Sequence, residues 1–223
     1  MLLNCDLGES YGSWTMGLDA EVMPHIHQAN IACGYHGGDP LTMRRTLALA
    51  AKHGVSIGAH PAYPDLVGFG RRSMNLSAEE LVAGLHYQVA ALDGMASCQG
   101  LKLSYVKPHG ALYNDMMARD EVRASVMQAV ASYHRPLKLM LQATPDAERH
   151  RSEAGEAGLE LLFEAFADRC YAEDGRLLSR SKPGAVHSRE RMLEQVKQLR
   201  VDGTVTTAAG RVIEVRADSL CVH

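Results

Sequence analysis

Side chains that can exchange protons recur where the short apolar runs of this sequence end. They are Asp6, Glu9, His36, His60, Lys107 and His109. Burial and neighbouring charges move the pKa values of such groups apart, which acid–base catalysis near neutral pH requires. We therefore predict a catalytic cluster in which Asp6 or Glu9 activates a water molecule, while the histidines donate protons and orient the substrate.

A second set of residues is suited to binding an anionic substrate. Lys107 and the Arg71-Arg72 pair, which follows a glycine-rich stretch, are candidates for stabilising a phosphate group or a developing oxyanion. Asp39 precedes Pro40 and is expected to cap a helix in any case. The remaining candidates for substrate or phosphate binding, with Asp39, are Asn4, Asp168, Arg169 and His223.

Three of these residues could also hold a divalent metal ion. Asp6, His36 and His60 offer carboxylate and imidazole groups, which are common metal ligands. The sequence contains no HExxH or HxxxH pair that would place two ligands on one helical turn, so metal binding stays open. The GxxxxGK[ST] and GxGxxG patterns are also absent, which argues against a nucleotide site of either type.

Composition excludes several classes of protein. Of the 223 residues, 46% are hydrophobic and 22% are charged, and the net charge of −3 favours neither a nucleic-acid nor a membrane-surface partner. No apolar stretch approaches the ~20 residues that span a bilayer. The N-terminus does not resemble a signal peptide, and the five cysteines form no CxxC pair. We expect one cytoplasmic domain over residues 1–223, with unreactive thiols.

Alternating strands and helices must position the candidate residues. Seven apolar runs are predicted to be strands, at 2–7, 28–33, 55–60, 103–107, 137–141, 159–166 and 219–222. Seven strand–helix repeats favour a closed or nearly closed α/β barrel, the alternative being an open, doubly wound sheet. Residues 203–215 break the alternation and are predicted to form a β-hairpin. Because sites in such folds form at the C-terminal ends of the strands, the candidate residues should share one rim.

Capping signals mark the predicted helices. Asp39-Pro40 opens a helix that runs to His53, and Ser77 begins a capping box. Thr144-Pro145 is expected to cap the helix between the fifth and sixth strands, and further helices are predicted at 121–133 and 188–199. The histidines near helices are expected at the surface; they are His53, His86, His134, His150 and His187.

Six blocks of the sequence resemble the LamB/YcsF family. In chain order they are 4–12 (NCDLGESYG), 29–40 (ANIACGYHGGDP), 58–72 (GAHP to GRR), 106–113 (VKPHGALY), 164–171 (EAFADRCY) and 219–223 (SLCVH). The resemblance implies a distorted (β/α)7 barrel of the glycoside hydrolase/deacetylase type. Members of this family continue with Gly-Asp and a closing helix after the last block, whereas this sequence ends at His223. We therefore expect a closing segment to be missing.

The resemblance also implies an activity and partners. It points to a component of the bacterial ATP-dependent 5-oxoprolinase, which opens the lactam of 5-oxo-L-proline to L-glutamate together with subunits B and C, with ATP as co-substrate. Two alternatives remain. One is a metal-dependent hydrolase of amides or N-acetyl groups, and the other is a non-catalytic subunit that carries substrate or positions its partners. Homo-oligomerisation is left open.

Overall fold

Seven parallel strands close into a barrel in the computed structural model, which describes residues 1–180 and 182–222. The barrel order is β1-β2-β3-β4-β5-β6-β9, and β9 pairs with both β6 and β1. The strands are β1 (Leu2–Leu7), β2 (Gln28–Ala32), β3 (Ser56–His60), β4 (Leu103–Val106), β5 (Lys138–Gln142), β6 (Leu161–Phe166) and β9 (Ser219–Cys221). The predicted α/β barrel is therefore confirmed, and the open sheet is not formed.

Helices follow the strands and cover the barrel. They are α1 (Asp19–Val22), α2 (Pro40–His53), α3 (Ala78–Ser97), α4 (Gly110–Ala118), α5 (Asp120–Ala131), α6 (Ala147–Glu156) and α7 (Arg189–Asp202), with a 3₁₀ turn at Met23–His25. The Asp39 carboxylate accepts hydrogen bonds from the amides of Leu41 and Thr42 and so caps α2 as predicted. Ser77 and Glu80 form the predicted capping box of α3.

The predicted hairpin lies outside the barrel. β7 (Thr204–Thr206) and β8 (Val212–Glu214) pair antiparallel between α7 and β9. Among the described helices, none is long and apolar enough to cross a membrane.

Three expectations about helices were wrong or incomplete. The α6 helix begins at Ala147 with Asp146 at its N-cap position, because Thr144 Oγ1 instead accepts the amide of Asp146 in the preceding turn, at 3.2 Å. His150 is buried rather than on the surface, with 3% of its area exposed. The sequence patterns also failed to predict α4, which starts directly after His109.

Polar side chains fill the barrel interior beneath the rim. They are Asn4, Gln28, Asn30, Tyr105, Lys107, Glu164 and Ser219, all of them buried. Asn30 Nδ2 donates to Asn4 Oδ1 at 2.8 Å, and the Tyr105 hydroxyl donates to Asn30 Oδ1 at 2.7 Å. Barrel interiors of this class are usually filled by branched apolar residues. Here the apolar core lies between barrel and helices, and a hydrogen-bonded network supports the rim from below.

Candidate functional site

The Asp6 carboxylate lies at the centre of the rim. Its Oδ1 accepts hydrogen bonds from Asn30 Nδ2 at 2.8 Å and from Lys107 Nζ at 3.0 Å. Its Oδ2 lies 3.2 Å from Nε2 of His60, the last residue of β3. Three neighbouring strands thus fix both oxygens of one carboxylate, which is the placement expected of a side chain that must meet a substrate in a single orientation.

Lys107, which follows β4, is fully engaged by its neighbours. Besides Asp6, its ammonium contacts Asn4 Oδ1 at 3.2 Å, Glu164 Oε2 at 3.1 Å and Cys221 Sγ at 3.2 Å. Burial alone would lower the pKa of Lys107, but Asp6, Cys221 and Glu164 raise it well above its usual value. An ammonium has three protons to donate, so the described partners leave none for a phosphate. The geometry favours Lys107 as the residue that positions Asp6.

The two histidines next to Asp6 have defined tautomers. His60 Nδ1 lies 2.7 Å from the carbonyl oxygen of Lys107, and His109 Nε2 lies 2.9 Å from that of Phe69. Because a carbonyl only accepts, both nitrogens carry hydrogen. In the neutral rings the lone pairs are therefore on His60 Nε2 and His109 Nδ1, which face each other at 3.0 Å. Two acceptors at this distance require a proton or another cation between them.

Glu9 and His36 complete the cluster. Glu9 Oε1 lies 3.1 Å from His36 Nε2 and 3.4 Å from His109 Nδ1. Burial and the charge of Asp6 raise the pKa of Glu9, whereas burial and His60 lower that of His36 well below its usual value. Burial, with His36 and His60, also lowers the pKa of His109. At neutral pH the cluster thus combines neutral imidazoles with a carboxyl group that holds its proton more tightly than usual, as proton transfer requires.

The loop between β3 and α3 orients the histidines through a constrained backbone. Phe69 has a φ of 53°, the one positive value among the described non-glycine residues, and this turn directs its carbonyl at His109. Gly70 follows with a φ of 62°, and a Cβ there would lie 2.9 Å from both His36 Cβ and His109 Cδ2. The Gly70 carbonyl accepts the amide of Ala111 at 2.9 Å. Strain of this kind is typical of functional sites.

A cavity of about 480 Å³ opens above this cluster. Asp6, Lys107, His60 and His109 line its floor, and the first residues of α4 line one wall. The positively charged side chains on the remaining walls are Arg71, Arg169 and Arg180. Tyr113 also faces the cavity; burial and the charge of Glu164 raise its pKa well above the usual value, so its hydroxyl keeps its proton.

The structure brings most of the predicted residues together but places others elsewhere. Arg72 pairs with Asp65 and is not part of the cavity wall, unlike its neighbour Arg71. Asp39 caps α2 and accepts the amide of Gly12 at 3.0 Å. Asn4 lies in the network below Asp6, and Asp168 is buried beside the cavity wall. His223 lies outside the described residues.

Sequence reasoning missed several residues of the site. Arg180 and Tyr113 line the cavity although neither ends a strand, and Tyr113 belongs to α4, which the sequence patterns did not predict. Gly8-Glu9-Ser10-Tyr11-Gly12 also matches the GxSxG pattern of nucleophilic serines. However, the Ser10 hydroxyl bonds to the backbone of Met16 and no helix follows it directly, so this segment is not a nucleophile elbow.

Part of the cluster has the donor set of a metal centre. Glu9, His36, His60 and His109 each place one donor atom within 4.8 Å of the others. His60 and His109 donate their outer N–H groups to carbonyls, as metal-bound histidines do. The rings of His36 and His109 are stacked at 3.7 Å and 4°, so one ion cannot lie in both ring planes. Glu9, His60 and His109 therefore fit a metal ion as they stand. Of the expected ligands, His36 would have to turn, and Asp6 lies beside this group.

Known proteins resemble this chain along its full length. The 5-oxoprolinase A subunit of Pseudomonas fluorescens (strain Pf0-1) is 57% identical across 100% of this chain and 90% of that protein. The 5-oxoprolinase A 2 subunit of Pseudomonas putida is 58% identical across 100% of this chain and 87% of its own length. The solved structure of the lactam utilization protein from Thermus thermophilus aligns with a TM-score of 0.91 at 42% identity, covering 100% of this chain and 89% of the other. The profile of the LamB/YcsF family matches residues 1–223, and the chain belongs to that family.

Proposed function

We propose that this chain belongs to a three-subunit, ATP-dependent 5-oxoprolinase and opens the lactam of 5-oxo-L-proline to L-glutamate. The names of its relatives support the reaction class, and subunits B and C would be the partners. The observation that carries the proposal is the pair of facing lone pairs on His60 Nε2 and His109 Nδ1, flanked by the carboxyl groups of Asp6 and Glu9 at the cavity floor.

The chemistry explains why both a base and an acid are needed. A lactam carbonyl is a poor electrophile, so the terminal phosphoryl group of ATP is transferred to its oxygen and ADP leaves. Water then attacks the ring carbon while Asp6 or Glu9 accepts its proton. The C–N bond breaks and the ring nitrogen takes a proton from the histidine cluster, which leaves an acyl phosphate. A second water molecule hydrolyses this acyl phosphate to glutamate and inorganic phosphate.

Asp6 suits the role of base because its neighbours hold it in place. Lys107 and Asn30 fix its Oδ1 and leave Oδ2 toward His60. His60 and His109 suit the role of proton carriers because a proton placed between their nitrogens, 3.0 Å apart, relieves the contact between two acceptors. The chain has no recognised phosphate-binding loop, and we expect the partner subunits to bind ATP.

The test is glutamate formation from 5-oxo-L-proline and ATP by the chain assembled with its two partners. The Asp6→Asn variant preserves shape and removes one charge, and we expect it to lower turnover at least 100-fold, a loss of about 2.7 kcal/mol in transition-state stabilisation. Asp202→Asn, an exposed carboxylate on α7, is the matched control and should retain full activity. Turnover of Asp6→Asn within about threefold of the parent would remove Asp6 from the mechanism. Substrate-dependent ADP release by the isolated chain would contradict the assignment of ATP binding to its partners.

The metal-like donor set favours a second candidate function, hydrolysis of an amide without ATP. A divalent ion held by Glu9, His60 and His109 would act as a Lewis acid toward the substrate oxygen. Elemental analysis of the purified chain, followed by amide hydrolysis assays with and without added zinc, separates the two functions. Stoichiometric metal together with ATP-independent hydrolysis would favour this second function over the first.

A further inference from the structure

We propose that Arg71, Arg169 and Arg180 form an anion-binding subsite on the cavity wall, which holds the carboxylate or the phosphoryl group of the reacting molecule. This inference rests on the proposed function and adds to it the part of the substrate that this wall recognises. The three side chains come from separate segments, the loop before α3 and the loop after β6, and they converge on the same cavity of about 480 Å³.

Arg169 is the residue whose surroundings most need an anion. It is buried, with 7% of its area exposed, and its guanidinium bonds to the carbonyl oxygens of Ala185, at 3.3 Å, and Leu178, at 2.7 Å. No carboxylate of the described chain lies within ion-pair distance of it. Arg123, which is also buried, pairs with both Asp120 and Glu153. A buried guanidinium without a counterion is costly, and a ligand anion would supply the missing charge.

The three arginines also repel one another. Burial and the charges of Arg180 and Arg71 lower the pKa of Arg169 to about 10. Burial and Arg180 likewise lower the pKa of Arg71. All three remain charged at neutral pH, so the wall concentrates positive charge in a protein whose net charge is −3. An anion in the cavity reduces this repulsion, and a guanidinium group binds carboxylate or phosphate oxygens in a bidentate manner.

The opposite wall favours the same ligand chemistry. Gly110 and Ala111, the first residues of the nine-residue helix α4, line the cavity, and no side chain caps this helix end. The positive end of the helix dipole therefore faces the space between the arginines and the histidine cluster. A lactam acid bound there would have its carboxylate or phosphorylated oxygen on the arginine side and its ring carbon near Asp6.

Two sources of the anion must be distinguished, and binding without turnover does this. The probes are 5-oxo-L-proline, 2-pyrrolidinone, which has the same ring without the carboxylate, and inorganic phosphate, each titrated calorimetrically into the isolated chain. If the wall binds the carboxylate, 5-oxo-L-proline should bind at least about tenfold more tightly than 2-pyrrolidinone. If it binds the phosphoryl group, inorganic phosphate should bind, and the two lactams should bind equally or not at all.

In either case Arg180→Gln should weaken binding of the favoured probe about tenfold or more. Arg180 is exposed, so this variant tests the site without disturbing a buried residue, and Arg169→Lys tests whether charge alone suffices at the buried position. Arg200→Gln on α7 is the matched control and should bind as the parent does. If neither 5-oxo-L-proline nor phosphate binds the parent chain, or if Arg180→Gln and Arg169→Lys both leave binding unchanged, the proposal is overturned. Loss of binding in Arg180→Gln, together with an assembled complex that forms no glutamate, would instead contradict only the proposed function.

Discussion

His60 Nε2 and His109 Nδ1 lie 3.0 Å apart, although the tautomer of each ring leaves a lone pair on both atoms. The barrel imposes this contact, since His60 ends β3 and His109 follows β4, its neighbour in the sheet. Each ring is fixed by a hydrogen bond to a backbone carbonyl, so neither can turn away without losing that bond. The contact therefore favours a cation at the place where a substrate must be protonated.

Removing the charge of Lys107 should destabilise the fold far more than removing a surface lysine. Lys107→Met leaves Asp6 and the buried Glu164 without their shared counterion, and we expect the free energy of unfolding to fall by about 3–5 kcal/mol. Lys138→Met breaks an exposed pair with Glu160 and should cost about 0–1 kcal/mol. Urea unfolding followed by circular dichroism measures both values. Equal losses for the two variants would show that Lys107 does not compensate buried charge.

Gly70 should tolerate a methyl group less well than another glycine of the same backbone conformation. Gly70 and Gly54 have φ values of 62° and 66°. A Cβ at Gly54 meets no atom within 4 Å, whereas one at Gly70 approaches His36 and His109. Gly54→Ala should therefore cost about 1–2 kcal/mol of backbone strain, and Gly70→Ala should cost more and also reduce turnover. Urea unfolding of both variants tests this, and an equal cost would rule out the steric effect.

Buried histidines should make the protein less stable in mild acid. The folded-state pKa values of His36 and His109 lie well below 6.5, so the unfolded chain binds more protons as the pH falls below that value. Each such group lowers the free energy of unfolding by up to about 1.4 kcal/mol per pH unit below 6.5. The raised pKa of Glu9 acts in the opposite direction, because the folded state then keeps a proton that the unfolded chain releases above pH 4.5.

The contribution of one histidine can be isolated in a chain freed of metal by dialysis against a chelator. His36→Gln removes one titrating group, and the slope of unfolding free energy against pH between about 5 and 6.5 should become shallower. His53→Gln, on the exposed end of α2, should leave the slope unchanged. A slope identical in His36→Gln and the parent would show that His36 is not held neutral by the fold.

The cysteines should take no part in the chemistry. Burial raises the pKa of Cys33 to about 12, so its thiolate is scarce at neutral pH. Cys98 is exposed at the end of α3 and is the expected site of modification by iodoacetamide in the native protein. Mass spectrometry of the alkylated chain should find Cys98 modified and Cys33 intact, with activity retained. Rapid alkylation of Cys33 accompanied by loss of turnover would contradict this.

Much of the site could be predicted because strand ends are readable in a sequence. Apolar runs that stop at Asp6, His60 and Lys107 define both the strands and the residues that reach the rim, and parallel strands bring those ends together. The roles were harder to assign. The sequence cannot show that Lys107 donates its protons to buried neighbours, or that Arg72 turns to Asp65 while the adjacent Arg71 faces the cavity. These outcomes depend on tertiary contacts that no local pattern encodes.

Arg180 illustrates the other limit of sequence-based prediction. It lies in an irregular stretch between β6 and α7, where no periodicity indicates which way a side chain points. The α4 helix was missed for a related reason, since His109-Gly110 is typical of a turn and the helix after it has no capping side chain. Both features depend on how the loops fold over the rim rather than on the strands beneath it.

The polar network inside the barrel also bears on how a substrate can enter. Its bonds connect strands that are not neighbours in the sheet, such as Tyr105 on β4 with Asn30 on β2, and Asn4 on β1 with Glu164 on β6. Any widening or flattening of the barrel's cross-section would stretch these bonds simultaneously, whereas an apolar filling could slide and repack. The strands are therefore held at fixed radius, and the displacement that admits a substrate must come from the segments above them, chiefly residues 177–180.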